Sequence, residues 1–222
     1  MFQRIALSAL AAGIVGGLLI TLVQGLAVTP LIFEAETYEV AGDAGHDQTD
    51  EAWVPADGLE RTFWTGGANV VSGVGFALLL GAGFALSGRA IDWKRGLLWG
   101  AAGFAAFAAL PALGLPPELP GTEAAPLIER QIWWLATAAS SVGGLALLAF
   151  ASRLPWKGAG IVLLFVPHLI GAPQPEHHGG LAPAELERAF ITASLAANAL
   201  FWLVLGALTG LAFDRLGRAR PT

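Results

Sequence analysis

The sequence predicts an all-α polytopic membrane protein: six transmembrane helices in three parallel helical hairpins, with both termini on the cytoplasmic side. Three observations point there. The 222-residue chain is 55% hydrophobic and 13% charged, whereas a soluble domain carries about 25% charged residues. Long apolar runs recur along it, and a hydrocarbon core about 30 Å thick is crossed by roughly 20 residues of helix. The loops between those runs alternate in the sign of their charge.

The first span covers residues 5–32. Met1-Phe2-Gln3-Arg4 has the basic start of a signal peptide, but the apolar run that follows is far longer than an h-region of about 7–15 residues, so it reads as a retained helix. Gly13 and Gly17 lie one turn apart, as in small-residue contacts between membrane helices. Gln24 is the strongly polar side chain within the run. Residues 33–60 then change character. They hold nine acidic residues and His46, with no Lys or Arg. Such a run reads either as a solvated loop or as a vestibule that attracts cations. In the second case Glu34, Glu36 and Glu39, nearest the helix end, are candidate ligands.

The second span is 62–87, with Asn69 inside it, and the third is 96–115, with Gly96 and Gly100 again one turn apart and Pro111 ending or kinking it. The fourth is 128–151, carrying Thr137 and Ser141. The fifth, 158–170, is short, and the sixth, 189–213, contains Asn198. The expectation is a single transmembrane domain over residues 1–222, with hairpins at about 5–87, 96–151 and 158–213 and 33–60 as an acidic periplasmic loop.

Charge orients this arrangement. Six spans put nine of the twelve basic residues on one side with only Asp92 and Asp214; the positive-inside rule makes that side cytoplasmic. The other fifteen acids share the outer side with Arg61, Arg130 and Arg188 alone. An internal repeat supports the hairpins. Glu60-Arg61, Glu129-Arg130 and Glu187-Arg188 each open an inward-going helix, and Trp93-Lys94 resembles Trp156-Lys157 before the later outward-going ones. The outward helices end in Pro-Glu corners, which would gather Glu34, Glu118 and Glu176 with His168. Parallel repeats of this kind are related by an axis along the membrane normal. The Glu-Arg pairs also have a plainer explanation: Glu suits a helix N-terminus and Arg reaches to headgroups.

The chemistry available is narrow. There is no cysteine, and the one Met is Met1, so disulfides, iron–sulfur clusters, thiolate zinc and thioether copper sites are excluded within the chain. No phosphate-binding G-x-x-x-x-G-K-[ST] loop and no H-E-x-x-H occurs, and no enzyme activity is expected. What remains is imidazole and carboxylate. The stretch Pro167-His168-Leu169-Ile170-Gly171-Ala172-Pro173-Gln174-Pro175-Glu176-His177-His178 holds three of the four histidines between two apolar runs. Imidazole with carboxylate suits a borderline dication, and the prolines stop the helix there. His168, His177, His178 and Glu176 join Glu34, Glu36 and Glu39 as candidate metal ligands. The spans carry almost no ionisable residue at mid-depth, where one would mark an ion pathway. Gln24, Asn69, Thr137, Ser141 and Asn198 would have to line a polar path, unless they hydrogen-bond between helices.

Two segments carry a resemblance. The Gly-rich first helix running into Thr29-Pro30-Leu31-Ile32-Phe33-Glu34-Ala35-Glu36-Thr37-Tyr38-Glu39, together with residues 167–175, resembles the CbtA family of predicted cobalt-transporter subunits over nearly the whole chain. The resemblance implies a link to cobalamin synthesis and a small single-span, histidine-bearing CbtB-like partner. Family members are described with five spans, where charge here favours six. The resulting expectation is uptake of cobalt(II) or nickel(II) across the bacterial inner membrane. No metal or cofactor would be held permanently; the partners would be the bilayer, the CbtB-like subunit and a homo-oligomer, with no nucleic acid. The competing expectation is a non-transporting membrane subunit that docks to a larger complex. An intramembrane metalloenzyme ranks last.

Overall fold

The computed structural model describes residues 1–42, 55–176 and 179–218. Each apolar run is helical, as its composition demands: in lipid every backbone N–H must find its partner within the segment. The order is α1 (Phe2–Ala27), α2 (Thr29–Gly42), α3 (Leu59–Ser87), α4 (Trp93–Phe104), a π segment (Ala105–Ala109), α5 (Leu110–Ala112), α6 (Leu127–Phe150), α7 (Leu154–Ile170) and α8 (Ala184–Arg218). No strand forms among the described residues. Four helices are long and apolar enough to cross a membrane: α1, α3, α6 and α8. The 17-residue α7 is apolar but shorter. From α4 through the π segment to α5 the helix is unbroken over residues 93–112, about 30 Å at 1.5 Å per residue.

Two local features depart from the sequence expectation. The chain does not become a loop at residue 33. Pro30 lacks the N–H that would continue the ladder, so α1 ends at Ala27, and α2 then carries the acidic stretch in helical form as far as Gly42. The remainder of the expected acidic loop, 43–54, lies outside the described residues. Pro111, for its part, does not simply end the third span. It cannot donate to Phe107 and crowds that carbonyl; the helix widens just before it, and Leu110 N–H bonds back five residues to Ala105 O.

The chain divides into two compact units. Unit 1 comprises Met1–Pro30, Asp43–Ala101 and Ala196–Thr222. Its helices meet through glycine. A Cβ on Gly17 would lie 2.5 Å from Val70 Cα, and one on Gly73 would lie 2.6 Å from Gly13 O, so α1 and α3 touch backbone to backbone. On α4 and α8, a Cβ on Gly96 would fall on Gly206 O, one on Gly100 on Trp202 O, and one on Gly210 2.6 Å from Asp92 O. This close approach supplies the packing that association in lipid depends on. Rings fill the remainder: Phe76 against Trp202 at 4.7 Å, and Phe84 between Trp99 at 5.5 Å and Phe213 at 5.6 Å. Polar groups find one another. Asn69 Nδ2 donates to Gln24 Oε1 at 2.7 Å and to Thr21 Oγ1 at 3.0 Å. Arg4 Nε donates to Phe213 O, with the guanidinium 3.6 Å from the Phe213 ring centre. Outside the spans, Asp92 caps α4 by accepting from Arg95 N–H at 2.8 Å. That bond, aided by the charges of Arg95 and Lys94, holds its carboxyl below the usual aspartate value.

Unit 2 comprises Leu31–Gly42 and Ala102–Leu195. Here α6 and α7 cross through Gly144 and Gly160; a Cβ on either would come within 2.8 Å of the other's carbonyl oxygen. The buried face of α6 is Trp133, Thr137, Ala138, Ser141 and Gly144, at the spacing of one helical stripe. Pro167 sits inside α7, and Gly171, at φ +89°, ends that helix in a conformation that favours glycine.

Candidate functional site

Four helix ends of unit 2 converge on one cavity. The segments after α5 and α7, and those before α6 and α8, supply its walls. Thr122 and Gly180 form an isolated antiparallel bridge. Glu123 N–H donates to Gly179 O at 3.3 Å, and Leu181 N–H donates to Gly121 O at 3.4 Å, so the two loops are tied together. Gly121 has φ +73°, and a Cβ there would come 2.9 Å from Glu39 Cγ, which lays the Glu39 stem of α2 on the same loop.

The cavity measures about 360 Å³ and is lined by Gly114, Pro116, Glu118, Thr122, Glu123, Pro173, Gln174, Pro175 and Glu187, among others. No Lys or Arg is in that lining. One cation reaches it from α6: Arg130 Nη2 lies 2.5 Å from Glu118 Oε2, with both side chains about three-quarters buried. Arg130 Nε is buried without a hydrogen-bond partner among the described residues. A water molecule takes about 30 Å³ of liquid, so the cavity has room for a dication with its first hydration shell. Glu118, Glu123 and Glu187 in a lining without Lys or Arg make it acidic, and an acidic wall raises the local concentration of cations.

An aromatic side chain, Trp133, packs against Gly114 of the cavity wall. A Cβ on Gly114 would meet Trp133 Cη2 at 2.5 Å. Trp133 is 8% exposed, and its indole N–H donates to Pro167 O at 3.3 Å. Its ring stands edge-on to His168, centroids 5.9 Å apart. His168 Nε2 is buried without a partner among the described residues. Further along α6, Thr137 and Ser141 are both 0% exposed. Thr137 returns its hydroxyl to Trp133 O at 2.8 Å, whereas Ser141 Oγ has no partner among the described residues.

The sequence candidates distribute as follows. Glu34 is exposed and Glu36 half-buried on α2, Glu39 reaches the cavity loop, and Glu176 is exposed after α7. His177 and His178 lie outside the described residues. Among the described residues no three His, Asp or Glu side chains stand close enough to hold one ion together. Of the polar path, Thr137 and Ser141 share the buried face of α6 in unit 2. Gln24 and Asn69 bond to each other in unit 1, and Asn198 is half-buried on α8 there. Sequence reasoning placed Glu118 at a Pro-Glu corner. It did not single out Glu123, Glu187 or Trp133 for the site, and it took Arg130 for a headgroup contact.

All-helical architecture and several bilayer-length apolar helices define a multi-pass membrane protein, and the acidic cavity at its helix ends suits a positively charged cargo. Comparison with known families agrees: the family model for CbtA, probable cobalt transporter subunit, matches residues 2–214. The chain belongs to the CbtA family, and so to a family of transporter subunits associated with cobalt. Neither the curated proteins nor the solved structures give a significant match.

Proposed function

We propose that this chain is the cobalt(II)-conducting subunit of an uptake system in the bacterial inner membrane, with nickel(II) as a second cargo. In this reading α1, α3, the helix from α4 to α5, α6, α7 and α8 make six crossings as three hairpins, with both termini inside and the acidic loops facing the periplasm. The single observation that carries the proposal is the cavity lined by Glu118, Glu123 and Glu187. The carboxylates, with Glu39 against the cavity loop and Glu34 and Glu36 on the same helix, concentrate the hydrated ion. An entering dication competes with the Arg130 guanidinium for Glu118, since both are drawn to the same charge.

His168, together with His177 or His178 and Glu176 or Glu34, then replaces part of the ion's water; imidazole is a good cobalt ligand, and the unpaired His168 Nε2 is available for it. The ion leaves past Thr137 and Ser141. Gln24 and Asn69 satisfy each other, and with Asn198 we assign them to holding helices together. The family description, a transporter subunit, favours a partner; a small CbtB-like membrane subunit and a second copy of this chain are the candidates.

Radiocobalt uptake in cells expressing the chain tests the proposal. His168→Ala is expected to reduce uptake at least about tenfold at limiting metal, the scale of losing one metal contact. Unchanged uptake removes His168 from the mechanism. No metal-dependent uptake at all, with co-purification of a large stoichiometric partner, favours the non-transporting docking subunit.

A further inference from the structure

We propose that Arg130 sets the charge selectivity of the acidic cavity: its guanidinium is a built-in unit charge that holds Glu118 against sodium or potassium and yields it to a dication. This deepens the function proposed above and rests on it for the entry of a metal ion. Glu118 lines the cavity, and Arg130, outside that lining, grips it from α6 with Nη2 2.5 Å from Oε2. The two residues are twelve apart and joined across a loop. The pairs Arg61–Asp57 and Arg218–Asp214 differ from this one. Each joins residues four apart in sequence, and each has one strongly exposed partner, Asp57 at 75% and Arg218 at 77%. Arg130 and Glu118 are only 28% and 26% exposed.

Neither depth nor position recommends this pair as a structural staple. Two charges drawn that far out of water lose hydration that their attraction does little more than offset. Arg130 also closes the first turn of α6, its N–H bonding to Pro126 O at 3.1 Å, and the helix dipole disfavours a cation there. What the pair provides is a threshold. A cation that takes full hold of Glu118 must draw it off a unit charge already in hydrogen-bonding contact. Charge-assisted bonds between guanidinium and carboxylate are strong ones. Sodium or potassium brings the same unit charge, no hydrogen bond and water to shed. At a given distance a dication pulls the carboxylate about twice as hard, and Glu123 and Glu187 in the same lining add to that pull. Once released, the guanidinium competes to return, which favours the ion's departure.

Labelling of the purified full-length chain with phenylglyoxal, read by peptide mass spectrometry, follows the grip on Arg130 directly. Ionic strength is held constant with N-methylglucamine chloride. Cobalt(II) should speed modification of Arg130 several-fold, and exchange of N-methylglucamine for sodium should leave it unchanged. Arg218, whose partner Asp214 is outside the cavity lining, is the reference. Glu118→Gln, which removes the charge that Arg130 grips, should label fast in every medium. Calorimetry on Arg130→Gln adds a second readout. Cobalt(II) should bind about fivefold tighter than to the wild type, the scale of one partly exposed ion pair. Sodium should now weaken that binding by about threefold, as a competitor for the vacated carboxylate does, while the wild type shows no sodium effect. Arg130 labelling that ignores cobalt(II), or that sodium raises equally, overturns the proposal. So does Arg130→Gln binding cobalt(II) no more tightly than the wild type. Should that variant not fold, labelling of the wild type decides alone. Failed uptake with the labelling response intact removes the transport reading only; normal uptake without the response removes the threshold only.

Discussion

Unit 1 and unit 2 are built from the same materials, apolar helices crossing at glycines, yet they treat buried polar groups in opposite ways. In unit 1 they are spent on each other: Asn69 on Gln24 and Thr21, Arg4 on Phe213. In unit 2 Arg130 Nε, Ser141 Oγ and His168 Nε2 are buried and unpaired, and they are all the side-chain atoms in that state among the described residues. The helix irregularities sort the same way, with the π segment, Pro111 and Pro167 all in unit 2. π-bulges of this type are frequent at functional sites. The difference teaches that the same glycine-mediated helix packing can go with polar groups paired across helices in unit 1 and with buried polar atoms that have no partner among the described residues in unit 2.

The comparison can be broken most severely in unit 1. Gly206→Leu drives a side chain into the Gly96 and Gly100 backbone. Overpacking costs typically about 1–3 kcal/mol and more when backbone must move, so the variant should lose most of its accumulation in membranes and unfold well below the wild type in detergent. A milder pair sharpens the contrast. Asn69→Leu removes two interhelical hydrogen bonds and should cost about 1 kcal/mol, within the range measured in membrane proteins. Ser141→Ala removes a hydroxyl with no partner and should be neutral or slightly stabilising. Chemical or thermal unfolding of both variants in one detergent checks the opposite signs.

The smallest effect belongs to Asp92. Its folded carboxyl lies below the ordinary value of 3.8, first because Arg95 N–H bonds it. A depressed carboxylate stabilises the fold above its unfolded value, and that contribution is lost as pH falls through the folded one. The gap in melting temperature between wild type and Asp92→Ala should therefore be small and constant near neutrality, and close as the pH falls through and below 3.8.

Much of the helical framework was legible because its signal is local. Each apolar run announced its own helix, and the Gly13/Gly17 and Gly96/Gly100 spacings announced close contacts that α3 and α8 then supply. What escaped was non-local or masked by composition. The acids of α2 hid a helix, since Glu34, Glu36 and Glu39 read as solvent-loving rather than as turns beyond Pro30. Pro111 signalled a break, but a proline does not say whether the ladder ends or widens. Glu118 and Arg130 are twelve residues apart across a loop, and no period links them. Nothing in the sequence around Trp133 marks it for the site. Only the approach of Gly114 and His168, from two other segments, distinguishes it.

The bridge between Thr122 and Gly180 has a mechanical consequence. The loops it joins hang from different helix pairs, so opening one away from the other means breaking the bridge. With its hydrogen bonds at 3.3 and 3.4 Å, that bridge is a weak clasp, which a single inserted residue on either side would throw out of register.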